Sequence, residues 1–113
     1  MAPTNMKQLH SDTKAILGQV AQKYPEYMKG FQAMHKASEE GPLDLKTVEL
    51  IAIGHAIIQQ CTYCIAFHVK NALDAGATRD EIMQAAFVSV TMGGGPALMY
   101  ATEVVRSLDD FGA

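Results

Sequence analysis

From Met6 onward, apolar residues return at steps of three and four: Leu9, then Ile16, Leu17, Val20 and Tyr24, with Thr13 filling the gap. That spacing predicts an amphipathic helix. Pro25 ends it, because the residue before a proline is pushed out of helical space. Pro25 can itself open a second helix with apolar positions Tyr27, Met28, Phe31 and Met34, and Gly41-Pro42 closes that one. The third helix has a different pattern. It is capped by Asp44, runs from Leu45 to about Gln59, and carries Leu45, Val48, Leu50, Ile51, Ala52, Ile53, Ala56, Ile57 and Ile58. A helix apolar on nearly every side is expected to be buried.

The fourth helix runs from the region of Cys61 to about Ala75, with Gly76 just past its end. Thr78 and Glu81 have the spacing of a capping box for a fifth helix, which carries Ile82, Ala85, Ala86, Val88 and Val90 and ends near Met92. Gly93-Gly94-Gly95-Pro96 breaks the chain, and Pro96 opens a sixth helix with the stripe Leu98, Ala101, Val104, Val105 and Leu108. No stretch alternates as a strand would, and residues 1–5 read as a loose start. The pattern predicts an all-α, single-domain bundle of about six helices over residues 1–113.

Composition narrows this picture. A chain of 113 residues has room for one core, and 49% hydrophobic against 19% charged residues is globular. Seven methionines and many Ile, Leu and Ala exceed what one short bundle hides, so self-association is expected. A net charge of -3 without a Lys/Arg block speaks against nucleic acid as a partner. No apolar run approaches the ~18 residues of a membrane span, and no export signal is visible, which points to the cytoplasm. The glycine run lacks the Gly-Lys-Ser/Thr ending of a phosphate cradle and follows no strand, so it reads as a tight turn or a site of close packing.

The chemistry concentrates in Cys61-Thr62-Tyr63-Cys64-Ile65-Ala66-Phe67-His68, which holds both cysteines of the chain. On a helix Cys61, Cys64 and His68 fall at i, i+3 and i+7, on one stripe. Two thiols one turn apart can close a small disulfide ring, with an imidazole one turn further on. This is the equipment of reversible dithiol chemistry: a thiolate nucleophile, a resolving thiol and a base. The same Cys-x-x-Cys spacing also serves haem attachment and zinc. Ile65 after Cys64 rules out the haem motif. A structural zinc normally takes four protein ligands, and here only His68 and His55 could join the two cysteines. His10 and His35 lie on the first two helices without ligand-spaced partners and read as surface or interface histidines.

Glu49 is an ionisable group inside the most apolar helix, where an unpaired charge is seldom buried. It lies twelve residues before Cys61, about 18 Å along a straight helix, too far to meet that cysteine in an unbroken rod. A chain reversal near Gln60 would fold the fourth helix back and bring Glu49 near His68. A carboxylate there would fix the imidazole tautomer and strengthen it as a base.

Taken together, Glu49, Cys61-x-x-Cys64-x-x-x-His68 and the Gly93-Gly94-Gly95-Pro96 turn resemble the alkylhydroperoxidase D-like family of the carboxymuconolactone decarboxylase superfamily. The resemblance spans roughly Leu43 to Leu108, the motif-bearing core. It implies an all-helical fold, a homo-oligomer (trimer or hexamer) and a thiol-dependent peroxidase or disulfide reductase. It also implies a relay of Glu49, Cys61, Cys64 and His68, with hydroperoxide as substrate and an external dithiol, of lipoyl type, as reductant in place of a bound cofactor or metal. In such a relay Cys64 is the peroxidatic thiol, beside its i+4 neighbour His68, and Cys61 the resolving one. Cys61 is the rival for first attack, because it stands nearer the helix N-terminus, where the dipole favours thiolate. One position departs from the family: its peroxidases can carry a second histidine between the cysteines, where this chain has Tyr63. The alternative reading is a non-catalytic helical oligomer serving as a thiol redox sensor or metal-binding module.

Overall fold

The structure, a computed structural model, describes residues 5–113. Six helices follow one another: α1 Met6–Lys23, α2 Pro25–Ser38, α3 Leu45–Ile58, α4 Thr62–Asp74, α5 Arg79–Gly93 and α6 Gly95–Asp110. No strand occurs among the described residues. Of the loose start expected for residues 1–5, residues 1–4 lie outside the described residues, and Asn5 is the cap of α1, accepting from the Gln8 amide at 2.9 Å.

The helices begin and end where the local chemistry asks. Pro25 opens α2, and Asp44 accepts from the Thr47 amide at 2.8 Å to cap α3. Thr78 and Glu81 cap α5 in both directions, through Glu81 N to Thr78 Oγ1 at 3.1 Å and Thr78 N to Glu81 Oε1 at 2.9 Å. The glycine run is a one-residue turn between packed helices. Gly94 adopts φ 72, ψ -148, a region that side chains avoid, and a Cβ on Gly93 would stand 2.9 Å from that of Ala97.

The core lies among α3, α4, α5 and α6. Ile53, Ile57, Ile65, Val69, Ile82, Val104 and Leu108 are fully buried, and alanines such as Ala66, Ala72 and Ala86 between them let the helices approach closely. Lys46 on α3 meets Glu81 at the start of α5 at 3.0 Å. α1 lies across α4 and α6, inserts Met6 into the core, and its Met6 amide donates to Asp110 Oδ2 at 2.6 Å.

Two apolar surfaces stay uncovered. α3 is not buried all round: Ile51 and Ile58 remain 46% and 48% exposed and help line an apolar groove of about 450 Å³ between α3 and α5, with Leu50, Val88 and Met92. A helix apolar on every side needs neighbours on every side, and one copy of this chain supplies them on only part of it. α2 buries no residue and, among the described helices, its backbone lies against α1 alone. Its Tyr27, Phe31 and Met34 face outward. Among the described residues no helix is long and apolar enough to cross a membrane.

Candidate active site

The site begins with the way α3 ends. The Cys61 amide donates to the Ala56 carbonyl at 3.1 Å and the Gln60 amide to the Ile57 carbonyl at 3.0 Å, a paired closure that needs a left-handed residue between them. Gln60 takes that conformation, with φ 56, although glycine is the usual choice. The reversal sends α4 back along α3.

Cys61 is therefore the cap of α4 and not its first turn. Its backbone is extended (φ -109, ψ 97), and its Sγ accepts from the Cys64 amide at 3.2 Å. Cys61 and Cys64 are joined by a disulfide, with their Cα atoms 5.2 Å apart. Tyr63 stands between them, more than half exposed. Thr62 donates its hydroxyl to Glu103 Oε1 at 3.0 Å and ties the start of α4 to α6, while Glu103 Oε2 is buried with no hydrogen-bond partner among the described residues.

One turn past Cys64, His68 meets α3. Its Nδ1 lies 3.1 Å from Glu49 Oε2, and Glu49 is only 2% exposed. Burial of that carboxylate would be costly alone. Hydrogen bonding offsets the cost: besides His68, the Asn71 amide nitrogen stands 3.5 Å from Oε1. A carboxylate only accepts, so the network assigns the ring proton to Nδ1 and leaves Nε2 of a neutral imidazole free as a base. A second, smaller cavity of about 210 Å³ reaches Glu49 and Asn71 but not His68, and is lined also by Glu39, Leu45, Asp74 and Ala75. The larger apolar groove has no cysteine in its lining.

The other histidines separate. His55 Nδ1 lies 3.0 Å from the Ile51 carbonyl of its own helix and lines the apolar groove, so it does not join the cysteines. Among the described residues no group of three or more His, Cys, Asp or Glu could hold a metal ion. The His10 ring packs 4.4 Å from Phe67 and 5.7 Å from Phe111; burial first, then Lys14 and Lys70, push its imidazole below the ordinary range. His35 is a surface histidine as expected, its side chain 42% exposed, but its ring also stands beside that of His68, centroids 6.5 Å apart. No sequence signal marks it, because its place depends on how α2 lies across the bundle. Asn71 was legible in principle, one turn after His68 on the same face.

A disulfide at the head of one helix, backed by a buried carboxylate-imidazole pair, is the geometry against which the known proteins can be set. The model of the carboxymuconolactone decarboxylase family matches residues 25–107, from the start of α2 into α6. The chain belongs to the carboxymuconolactone decarboxylase family. This family member is 32% identical to an uncharacterised protein of Cupriavidus necator over 111 residues, 97% of this chain and 98% of that one. It is also similar to the crystal structure of a carboxymuconolactone decarboxylase family protein from Legionella pneumophila, with a TM-score of 0.91 and 37% identity over 96% of this chain and 97% of that one. A family protein of Thermotoga maritima, for which a part in the antioxidative response has been suggested, shares the fold: TM-score 0.79, 21% identity, 92% of this chain and 89% of the other.

Proposed function

We propose that this chain is a thiol-dependent peroxidase and disulfide oxidoreductase of the alkylhydroperoxidase D-like branch of its family. One observation carries the reading: the Cys61–Cys64 disulfide heads α4, and one turn beyond it His68 is bonded to the buried Glu49. In the reduced enzyme His68 Nε2 takes the Cys64 proton. The thiolate attacks the peroxide, the O–O bond breaks, and Cys64 becomes a sulfenic acid while the alkoxide leaves as alcohol with a proton. The Cys61 thiolate then attacks the Cys64 sulfur, water leaves, and the disulfide forms. An external dithiol of lipoyl type restores both thiols by exchange. Glu49 stabilises the imidazolium and fixes its tautomer, as a buried carboxylate does for a catalytic histidine. Antioxidative involvement suggested for the Thermotoga relative is in keeping with this chemistry.

The reading includes cytoplasmic location and a homo-oligomer, trimer or hexamer, whose contacts cover the exposed faces of α2 and α3; sedimentation should then give a mass several times 12.2 kDa. The decisive assay is hydroperoxide consumption with dihydrolipoamide against a monothiol such as glutathione. The expected result is turnover with the dithiol and little with the monothiol. Reversible disulfide formation without turnover under either reductant would instead make the chain a redox sensor.

A further inference from the structure

We propose that His35 is a positioning residue of the dithiol site, its ring set beside that of His68 and nearly parallel to it, so that α2 holds the imidazole in its working orientation. The inference rests on the redox reading of Cys61, Cys64 and His68 given above and adds to it a residue from a part of the chain outside that motif.

The observations form a chain of contacts across two helices. Phe31 and His35, one turn apart on α2, have rings 6.3 Å apart at 19°. His35 and His68 have rings 6.5 Å apart at 25°. Both separations fall inside the range over which aromatic rings attract. The three rings thus form a row of near-parallel, offset neighbours from the outer side of α2 to α4. The far side of His35 is anchored too: its Nδ1 lies 3.4 Å from Glu39 Oε1, one turn later. Glu39 also lines the small cavity that reaches Glu49, so the end of α2 and the buried carboxylate border the same space.

This matters because Glu49 alone does not fix His68. A single hydrogen bond at Nδ1 sets the tautomer but leaves the ring free to rock about that contact. A second ring alongside, nearly parallel and 6.5 Å away centre to centre, limits that motion. Orientation of a general base within a few tenths of an ångström is worth large factors in rate. The arrangement is not explained by packing of α2. That helix buries nothing, and its backbone touches α1 alone among the described helices, so the row of rings is a side-chain bridge reaching to α4 from a helix otherwise held elsewhere. The His35 side chain is itself 42% exposed, so its removal leaves no closed cavity in the core.

The test uses the full chain, reduced, and follows alkylation of Cys64 by iodoacetamide together with the NMR signals of the His68 ring. His35→Ala should slow alkylation about 2- to 10-fold, the range expected from loss of one aromatic pair, and move the ring-proton shifts of His68. His35→Phe, which keeps a ring but has no titratable nitrogen, should restore the rate to within about twofold of wild type. His35→Gln, similar in length but without a ring, should behave like His35→Ala; its comparison with His35→Phe also decides the matter if the alanine variant does not fold. An alanine variant as fast as wild type overturns the proposal. So does a phenylalanine variant as slow as alanine, because the nitrogen and not the ring would then be what counts. Failure of the underlying redox reading looks different: Cys64 alkylation would then be indifferent to His68→Ala as well.

Discussion

Helices α4 and α5 begin with the same local frame. Each starts from an extended cap residue whose side chain accepts a hydrogen bond from the amide three residues on: Cys61 from Cys64 at 3.2 Å, Thr78 from Glu81 at 3.1 Å. Each cap also has a return link. In α5 it is a hydrogen bond from the Thr78 amide to the Glu81 carboxylate; in α4 it is the disulfide. The turns before them match as well. Gln60 with φ 56 and Gly76 with φ 92 each sit in a closure where the next amide reaches back to a carbonyl five residues earlier, Cys61 to Ala56 and Ala77 to Ala72. The two starts differ in what fills the frame. α5 uses oxygen acceptors and glycine, which favour stability. α4 uses sulfur, a weak acceptor, and a strained glutamine. A Cys-x-x-Cys pair thus occupies the positions of a capping box, with a link that can be opened by two electrons.

The largest expected effect comes from exchanging one filling for the other. Cys61→Ser puts a strong capping oxygen in the α4 frame and removes the thiol proposed to resolve the sulfenic acid. Dithiol-dependent turnover should be abolished, while unfolding stability stays within about 1 kcal/mol of reduced wild type, or rises. Denaturation of both proteins under reducing conditions, alongside the peroxide assay, checks this. A loss of several kcal/mol would mean that Cys61 supports the fold beyond its cap.

Next in size is the support behind the frame. Glu49→Gln keeps shape but removes the charge that His68 meets at 3.1 Å. Turnover should fall at least ~10-fold and Cys64 alkylation should slow, at the low end of losses for general-base support. His68→Ala should cost about as much, and the double variant little more, because groups acting as one unit are not additive. Full activity in Glu49→Gln, with the protein folded, would reduce Glu49 to a structural acid.

Smaller effects test the frames as frames. Thr78→Ala should lower stability by about 1 kcal/mol and leave Cys64 alkylation unchanged. Gln60→Gly should act in the opposite direction, raising stability by up to about 1 kcal/mol by removing left-handed strain. Urea unfolding measures both. A destabilised Gln60→Gly would show that the glutamine side chain holds the turn.

The same comparison explains what could be read from the sequence. Local chemistry was legible: the Thr78–Glu81 box, the Asp44 cap, Pro25, Gly76, and a reversal near Gln60 that brings Glu49 toward His68. Each depends on residues a few positions apart or on one folding-back of neighbouring helices. Cys61 as cap and not first helical residue was missed, because sulfur is rarely an N-cap acceptor. His35 beside His68 was not legible, since it depends on where α2 lies relative to α4, and the 23 residues 39–61 separate the two helices. The exposed side of α3 was misread for a related reason. Apolar composition says that a face is to be covered, not whether the same copy of the chain covers it.

The smallest effect concerns acid. The Glu81 carboxyl is held below the usual carboxylate range, first by the Thr78 amide and then by Lys46. Asp44 is likewise lowered, by the Thr47 hydroxyl and amide. A group whose folded value is depressed adds stability above its unfolded value, near 4.3 for Glu, and that stability is lost as pH falls through the folded value. The capping frame of α4 has no carboxylate, Glu103 meeting the helix start only through the Thr62 side chain, and its disulfide cysteines do not titrate. Lowering pH from about 5 to about 3 should therefore fray the starts of α5 and α3 before that of α4. Amide hydrogen exchange at Thr78 and Glu81, set against Cys64 and corrected for intrinsic rates, reads the difference. Glu81→Gln can still accept from the Thr78 amide but carries no titrating charge, so its Thr78 protection should be nearly flat over the same range. Equal fraying of all three starts would mean that acid acts on the bundle as a whole, and that the contrast between the two frames ends with the redox state of Cys61 and Cys64.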